Sequence, residues 1–199
     1  MTSARRNKLR ILAFGAALSI VGLACGGSGP SPAAPQTLGF LENYDQLAPG
    51  RADQARLLFI DFAADFSVYE RVIVDRVVAW QGGAQEKRLA QRFDAALREQ
   101  LATEFEVVEA PGPRTLRLRA AVAMKTPSLL GVEVEILDAI SGARLVAAVD
   151  ERSVSSVDHE RARAQQEAEL ARWAGVIRTR LATFRAFDAA QRARDEDEK

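Results

Sequence analysis

The sequence predicts an α+β domain in which a mainly antiparallel sheet packs against two long helices. Apolar and polar residues alternate between 115 and 136, which is typical of a hairpin with one packed face. Apolar residues at steps of three and four in 85–105 and 158–187 are typical of amphipathic helices. A cleaved signal segment and a flexible tether are predicted to precede this domain.

The chain begins with a basic and then apolar segment that ends at its single cysteine. Residues 1–24 carry four basic side chains and no acidic one, and the apolar run 11–23 is shorter than the roughly 20 residues that a membrane-spanning helix needs. Ala24 directly precedes Cys25. This arrangement resembles the lipobox of bacterial lipoproteins, in which the signal peptide is cleaved between these two residues and the cysteine is acylated. Two alternatives stay open: a plain secretory signal that leaves a free thiol, and an uncleaved anchor helix.

Acylation of Cys25 would attach the chain to a membrane. By the resemblance, this cysteine carries a diacylglyceryl group and an amide-linked acyl chain such as palmitate, and several chains are needed because one chain binds a bilayer only marginally. Residues 25–36 are rich in Gly, Pro and Ser, which predicts a flexible linker. Gly26 follows the cysteine. By analogy with lipoprotein sorting in enterobacteria, in which aspartate at this position keeps a lipoprotein in the inner membrane, glycine favours the outer membrane, with the domain facing the periplasm.

The mature chain is mildly acidic and of single-domain size. Without residues 1–24 it has 23 basic and 27 acidic residues, a net charge of −4. Such a balance argues against nucleic acid as a partner. We expect one α+β domain over residues 37–188 and a charged, solvated tail over 189–199.

Apolar spacing and turn residues predict the elements of the first half. Helical spacing predicts a short amphipathic helix over 38–47. A strand at 57–61 and a turn at 65–67 follow. The valine- and isoleucine-rich run 71–80 predicts a central strand that is buried on both faces and has an end or a bulge at Asp75.

The pattern of the second half predicts two long helices and four strands. Apolar residues at every fourth position predict helix 85–105, with a short strand at 106–108 after it. Strands 116–124 and 132–136 are predicted to pair as a hairpin with one apolar face and one solvated polar face. The helix would be about 31 Å long and a hairpin strand about 33 Å, so we expect either helix to cover the full width of the apolar face. The remaining elements are a hairpin loop at 138–142, a return strand at 144–151 and a final helix at 158–187.

Short motifs along the chain resemble one bacterial lipoprotein family. In chain order they are Leu38-Gly39-Phe40-Leu41, Pro49-Gly50, Asp65-Phe66-Ser67, Trp80, Pro111-Gly112-Pro113, the loop 138–142 and Trp173-Ala174. In this order they are similar to domain-of-unknown-function family 3313. The resemblance implies an envelope lipoprotein without an assigned activity.

Asp61, Asp65 and Asp75 are the candidate acids for chemistry. Two convergent carboxylates would serve acid–base catalysis or bind Ca²⁺, whereas acids at strand ends and turns commonly cap backbone amides. His159, the only histidine, is predicted to be solvated at the start of the last helix. Because the sequence has neither a phosphate loop, a nucleophile elbow nor a metal-ligand pair, it predicts no metal and no cofactor.

Arg117 and Arg119 share the predicted polar face of the hairpin with Glu133 and Glu135. They would form either an anion-binding stripe or a mixed-charge sheet face. The main hypothesis is a non-enzymatic, lipid-anchored envelope module that binds another envelope component, or a second copy, through this face or an edge strand. The alternative is an envelope hydrolase or small-ligand-binding protein that uses the acids between Asp61 and Asp75, and a concave pocket holding two of them would favour it.

Overall fold

The structure, a computed structural model, describes residues 36–154 and 158–197, so the predicted signal peptide, Ala24, Cys25 and nearly all of the linker lie outside the described residues. Within the described part, an eight-stranded sheet carries two α-helices on one face. In chain order the elements are β1 (Ala48–Pro49), β2 (Leu57–Ile60), a 3₁₀ turn (Phe66–Val68), β3 (Arg71–Val74), β4 (Val78–Ala79), α1 (Ala84–Leu101), β5 (Glu106–Val107), β6 (Thr115–Thr126), β7 (Leu129–Asp138), β8 (Arg144–Ser153) and α2 (His159–Asp197).

The sheet is mixed, which refines the predicted mainly antiparallel sheet. Its strand order is β1-β2-β8-β7-β6-β3-β5, and β4 pairs with β6. Neighbours from β1 through β6 along this order are antiparallel, whereas β3 and β4 run parallel to β6, and β5 runs parallel to β3. The parallel pairs arise because α1 connects β4 to β5 as a crossover, and a crossover returns the chain in its original direction.

The predicted hairpins form, with a register that sorts apolar from polar side chains. Leu118 lies opposite Ile136 in the β6–β7 pair, and Val134 lies opposite Ala148 in the β7–β8 pair. Leu118, Ile136 and Val134 belong to the core beneath the helices, and Ala148 lies on the same face of the sheet. The predicted interruption at Asp75 is present, because β3 ends at Val74 and β4 begins only at Val78.

The two helices pack their apolar stripes onto this face. The stripe of α1 is Leu89, Phe93, Leu97 and Leu101, all at most 1% exposed. Leu170, Trp173 and Leu181 are the corresponding buried residues of α2. The helix α2 ends at Asp197, beyond the predicted end near 187, and its charged last turns are exposed.

The predicted helix over 38–47 is wrong. Residues 38–47, which we call the strap, run as bends and a turn across the second face of the sheet, where Leu41 packs with Ala147 and Val149. Gly39 has a φ of +86°, a left-handed conformation that glycine adopts at little cost. The N–H groups of Leu38, Phe40 and Leu41 bond to the sheet and not to carbonyls of the strap, so helical spacing here reflects packing on a sheet.

The helix layer is narrower than the sheet, contrary to the expected full coverage. Seven strands in sequence span roughly 29 Å at about 4.8 Å per step, whereas two helices packed side by side cover about 20 Å. The expectation compared the length of a helix with the length of a strand, and these do match. The width that the helices cover across the strands depends instead on how many helices there are. The side of the face formed by β8 and β2 is therefore left partly uncovered.

Candidate ligand-binding groove

The acids Asp61 and Asp75 lie in separate local arrangements. Asp61 accepts a hydrogen bond from the N–H of Ala63 at 2.9 Å. Asp75 accepts one from Nε of Arg117, also at 2.9 Å, at the end of β3. Each carboxylate is thus used in a turn or an ion pair, and among the described residues they do not meet in a common pocket.

Asp65 caps the 3₁₀ turn and contacts the end of α2. Its carboxylate accepts a hydrogen bond from the N–H of Ser67 at 2.9 Å and pairs with Arg192. Burial acts to raise the pKa of Asp65, but the hydrogen bonds from Ser67 and the Arg192 guanidinium outweigh it and hold the pKa below its ordinary value. Nearby, burial and a 3.0 Å hydrogen bond to Asp138 raise the pKa of Tyr69. These contacts fix the turn to the sheet and to α2.

Arg117 and Arg119 are likewise neutralised by neighbouring carboxylates. Arg117 pairs with Asp75, and Nη1 of Arg119 lies 3.0 Å from Oε2 of Glu135. The guanidinium of Arg119 also stacks over the ring of Phe40, 5.5 Å from its centroid. The geometry is that of a mixed-charge face partly covered by the strap.

The prediction that the polar hairpin face is solvated is wrong where the strap crosses it. Glu133 is 0% exposed. Its carboxylate accepts hydrogen bonds from the N–H groups of Leu38, Phe40 (3.0 Å) and Leu41 (3.2 Å). The hydroxyl of Tyr44 donates a further bond of 2.6 Å. One buried carboxylate therefore satisfies three backbone donors of the strap, which would otherwise be unpaired because the strap is not helical.

The pKa of Tyr44, a residue of the strap, is shifted by burial and by its contact with Glu133. Burial, together with the hydrogen bond and the negative charge of Glu133, raises the pKa of Tyr44 from 10.0 to about 12. The phenol therefore stays protonated and continues to donate to Glu133 at neutral pH. Around Glu133 this face is closed by hydrogen bonds and small apolar contacts. Beside the strap it keeps an open, more polar pocket of about 370 Å³, whose lining includes Phe40, Arg117 and Arg119.

A more apolar groove lies on the helix face, along the uncovered side of the sheet. It has a volume of about 250 Å³ and runs between α2 and the strands β2 and β8. Val176 and Phe62 at this groove are 41% and 75% exposed. Its apolar walls include Leu58 and Ile60 from β2, Val146 and Ala148 from β8, and Val176 and Phe184 from α2.

Polar side chains line the groove near Trp173. The buried indole Nε1 of Trp173 donates to Oδ2 of Asp150 at 2.8 Å, and Arg152 pairs with the same oxygen at 2.9 Å. Asp150 is only 4% exposed. Among the described residues, Oδ1 of Asp150 and Nε of Arg152 are buried without a hydrogen-bond partner. Leaving such a group unpaired costs about 1–3 kcal/mol, so this arrangement favours a bound group that completes it.

The rim of the groove carries paired charges. Arg172 bonds to Glu169 at 2.8 Å, and Arg180 bonds to Asp53 at 2.9 Å. The rim arginines are thus occupied by carboxylates. At the groove, the buried polar atoms without a hydrogen-bond partner among the described residues belong to Asp150 and Arg152.

Sequence reasoning missed this groove, although the sequence holds one signal for it. Along β8, Val146, Ala148, Asp150 and Arg152 occupy alternate positions, so two charged residues continue the apolar face. A buried carboxylate on a core-facing position is uncommon and points to a specific partner. The groove itself depends on the width of the helix layer, which alternation within one strand does not encode.

Neither helix of the described residues has the length and apolar content needed to cross a membrane. The backbone of His159 begins α2, whereas its side chain lies outside what the structure describes, so its predicted solvation stays a prediction.

Comparison with protein families bears on the part of the chain that holds the strap, α1 and β6. Residues 36–129 match the family model DUF3313, a protein of unknown function. The match confirms the resemblance noted from the sequence motifs. It stops at the first residue of β7, so the loop 138–142 and Trp173 lie beyond the residues that match DUF3313. No curated protein matches the chain.

Solved structures resemble the chain at low sequence identity. The PelC dodecamer from Paraburkholderia phytofirmans is 15% identical over 53% of this chain and 85% of its own, with a TM-score of 0.39. A lipoprotein candidate from Caulobacter crescentus CB15 is 19% identical over 61% of this chain and 93% of its own, with a TM-score of 0.37. Protein XCC0632 from Xanthomonas campestris is 10% identical over 63% of this chain and 88% of its own, with a TM-score of 0.42.

Proposed function

We propose that the protein is a lipid-anchored, periplasm-facing module of the bacterial envelope that works by binding, and that the groove between α2 and β2–β8 is its binding site. The anchor is Cys25, supported by the basic and apolar segment before it and by the small residue Ala24. Gly26 and the linker 25–36 support an outer-membrane location in which the domain is held near the bilayer.

The groove is the observation that carries this proposal. Binding sites for small molecules are concave and mostly apolar, with a few polar groups that fix orientation. This groove has apolar walls, exposed Val176 and Phe62, and the ion pair between the buried Asp150 and the partly exposed Arg152. The polar hairpin face, by contrast, is occupied by the strap around Glu133, and the pocket that it keeps beside the strap is more polar.

In-cell photo-crosslinking tests the binding site. A photoreactive residue at Val176 is expected to crosslink to a discrete ligand or protein, because this position is exposed within the groove. The same residue at Ala95, an exposed position on α1, is the control and is expected to give no discrete product. Equal labelling from both positions, or none from Val176, would overturn the groove as the site. A product containing two copies of the chain would identify a homo-oligomer as the partner.

Membrane fractionation tests the anchor. The substitution Cys25→Ser removes the sulfur that would carry lipid, so the chain is expected to move from the membrane pellet to the supernatant after a carbonate wash. Persistence of that variant in the pellet would contradict lipid anchoring through Cys25. Metabolic labelling with a palmitate analogue gives a second measurement, with label expected on the wild-type chain and lost in the variant.

A further inference from the structure

The groove has separate apolar and polar parts, and this separation restricts the chemistry of a ligand. Its apolar walls follow α2 from Trp173 to Phe184, roughly 16 Å of helix axis at 1.5 Å per residue. On the other side stand Leu58 and Ile60 of β2. A groove of this shape accommodates one extended hydrocarbon chain, and its length suits a dodecanoyl chain.

The polar part offers one hydrogen-bond acceptor and one donor. Oδ1 of Asp150 is an acceptor and Nε of Arg152 is a donor, and neither has a partner among the described residues. Both residues line the groove. A ligand group that donates to the first and accepts from the second would satisfy both, as a hydroxyl or an amide does.

Charged head groups fit this pair less well. A carboxylate head would face the carboxylate of Asp150 without a proton to donate, and a quaternary ammonium has no N–H at all. Arg172 and Arg180 on the rim do not favour an anion strongly, because Glu169 and Asp53 already neutralise them. The pairing at the groove therefore selects an uncharged head.

From this geometry we infer that the groove binds a single-chain amphiphile: an acyl chain along α2, with an uncharged hydroxyl- or amide-bearing head at Asp150 and Arg152. The inference rests on the proposed function of the groove and adds the class of ligand. The predicted lipid anchor supports it, because a tethered domain meets acyl lipids at high local concentration.

Fluorescence of Trp173 provides a direct measurement, because this side chain lines the groove and bonds to Asp150. The full chain with Cys25→Ser is purified without detergent, and Trp80→Phe leaves Trp173 as the only tryptophan. The probes are monododecanoylglycerol, dodecanoate and dodecyltrimethylammonium, each kept below its micelle-forming concentration. Monododecanoylglycerol is expected to shift the emission and to bind about tenfold more tightly than either charged probe, the ratio expected for one unmatched hydrogen bond.

Two exposed valines provide a matched pair of variants. Val176, in the groove, and Val78, outside it, are 41% and 40% exposed, so a glutamate at either site is compatible with folding. Val176→Glu is expected to weaken monododecanoylglycerol binding at least about tenfold, whereas Val78→Glu leaves it unchanged. Asp150→Asn is expected to bring the affinities for the glycerol and carboxylate heads closer together, because the negative charge at the head site is removed.

The outcomes separate this inference from the proposed function. Equal affinity for all three probes would overturn the assigned head group, and so would tighter binding of dodecanoate. Failure of every probe to bind, while Val176 still crosslinks to a protein in cells, would overturn a lipid ligand and leave the groove as a protein-docking site. Failure of both the probes and the crosslinking would overturn the two proposals together.

Discussion

The two faces of the sheet are covered by opposite chemistry. On the helix face, side chains such as Phe93 and Leu118 pack against each other at 0% exposure. On the other face, the carboxylate of Glu133 binds the N–H groups of a strap that has no regular structure. The difference shows that a charged residue on a strand can be buried and can accept hydrogen bonds from the backbone of another segment. Alternation of polar and apolar residues therefore does not by itself identify the solvated face of a sheet.

Neither face is covered completely, and the helix face leaves the more apolar opening. Two helices are too narrow for the sheet, and the groove along β8 and β2 results. The strap, though short, closes the centre of the opposite face, because one carboxylate receives several donors at once. The following predictions test this comparison, from the largest expected effect to the smallest.

Removing a side chain from the helix face is expected to cost the most stability. Phe93→Ala leaves a cavity at a fully buried position, so the free energy of unfolding should fall by about 3–5 kcal/mol in urea denaturation. Arg92→Ala, on the exposed side of the same helix, is the control and should change it by less than about 0.5 kcal/mol. A loss below about 1 kcal/mol for Phe93→Ala would mean that this face is loosely packed.

Removing the carboxylate of the strap face is expected to cost less and to act locally. Glu133→Ala should lower the free energy of unfolding by roughly 2–3 kcal/mol, because the strap can detach and its N–H groups can then reach water. Hydrogen exchange should quicken at the amides of Phe40 and Leu41 while the amides of α1 stay protected.

The exposed neighbour Glu42 offers the matched control for this change. Its side chain is 82% exposed, so Glu42→Ala should leave both stability and strap exchange nearly unchanged. If Glu133→Ala instead quickened exchange throughout the sheet, the strap would be part of the global fold, and the contrast between the faces would not hold.

Tyr44→Phe is expected to have a smaller effect that depends on pH. Loss of one hydrogen bond to Glu133 should cost about 1 kcal/mol at neutral pH. In the folded chain the pKa of Tyr44 is about 12, above its unfolded value of 10.0, so the protonated phenol stabilises the fold below pH 10 and this contribution is lost as pH rises from 10 to 12. The variant should therefore lose stability less steeply in that range.

Deprotonation of Tyr69 should also lower stability at alkaline pH, so this residue provides an internal comparison for Tyr44. Its pKa is also raised, so Tyr44→Phe should reduce the alkaline slope without removing it, and the double variant with Tyr69→Phe should reduce it further. An unchanged alkaline slope in Tyr44→Phe would show that the phenol is not buried against Glu133.

The smallest effect is expected where two exposed groups meet. Arg192→Ala removes the ion pair with Asp65, and both side chains are nearly half exposed, so stability should fall by less than about 1 kcal/mol at neutral pH. The pKa of Asp65 lies below 3.8, so its contribution is present above that value and is lost as pH falls. A carboxyl titration by NMR should show the Asp65 pKa rising in the variant, and no rise would mean that Ser67 alone sets it.

Sequence reasoning identified the helices and strands whose apolar residues repeat regularly because they face a single packing surface. The stripe Leu89, Phe93, Leu97 and Leu101 predicted α1, and alternation predicted the hairpin of β6 and β7, because each pattern records a single apolar contact surface. The strap was misread as a helix because Leu41, Tyr44 and Leu47 contact a sheet through an irregular path, and four-residue spacing cannot separate the two cases.

The site was harder to predict because it depends on distant parts of the chain. The acids Asp61, Asp65 and Asp75 were candidates by proximity in sequence, yet their partners are Ala63, Arg192 and Arg117. The groove needs β2, β8 and α2 together, and only the register of β8 places Asp150 beside Trp173. A site whose residues come from such distant parts of the sequence leaves no short motif by which it could be recognised.

The position of β2 beside β8 has a consequence for the order of folding during synthesis. Its pairing with β8 must wait until β8 has been made, and the strap must likewise wait for Glu133. At about 5–20 residues per second, the ribosome needs roughly 5–20 s to extend the chain from β2 to the end of β8. During that interval the apolar run Leu57–Ile60 can pair only with the two residues of β1 and leaves its other edge unpaired, which exposes the nascent chain to aggregation.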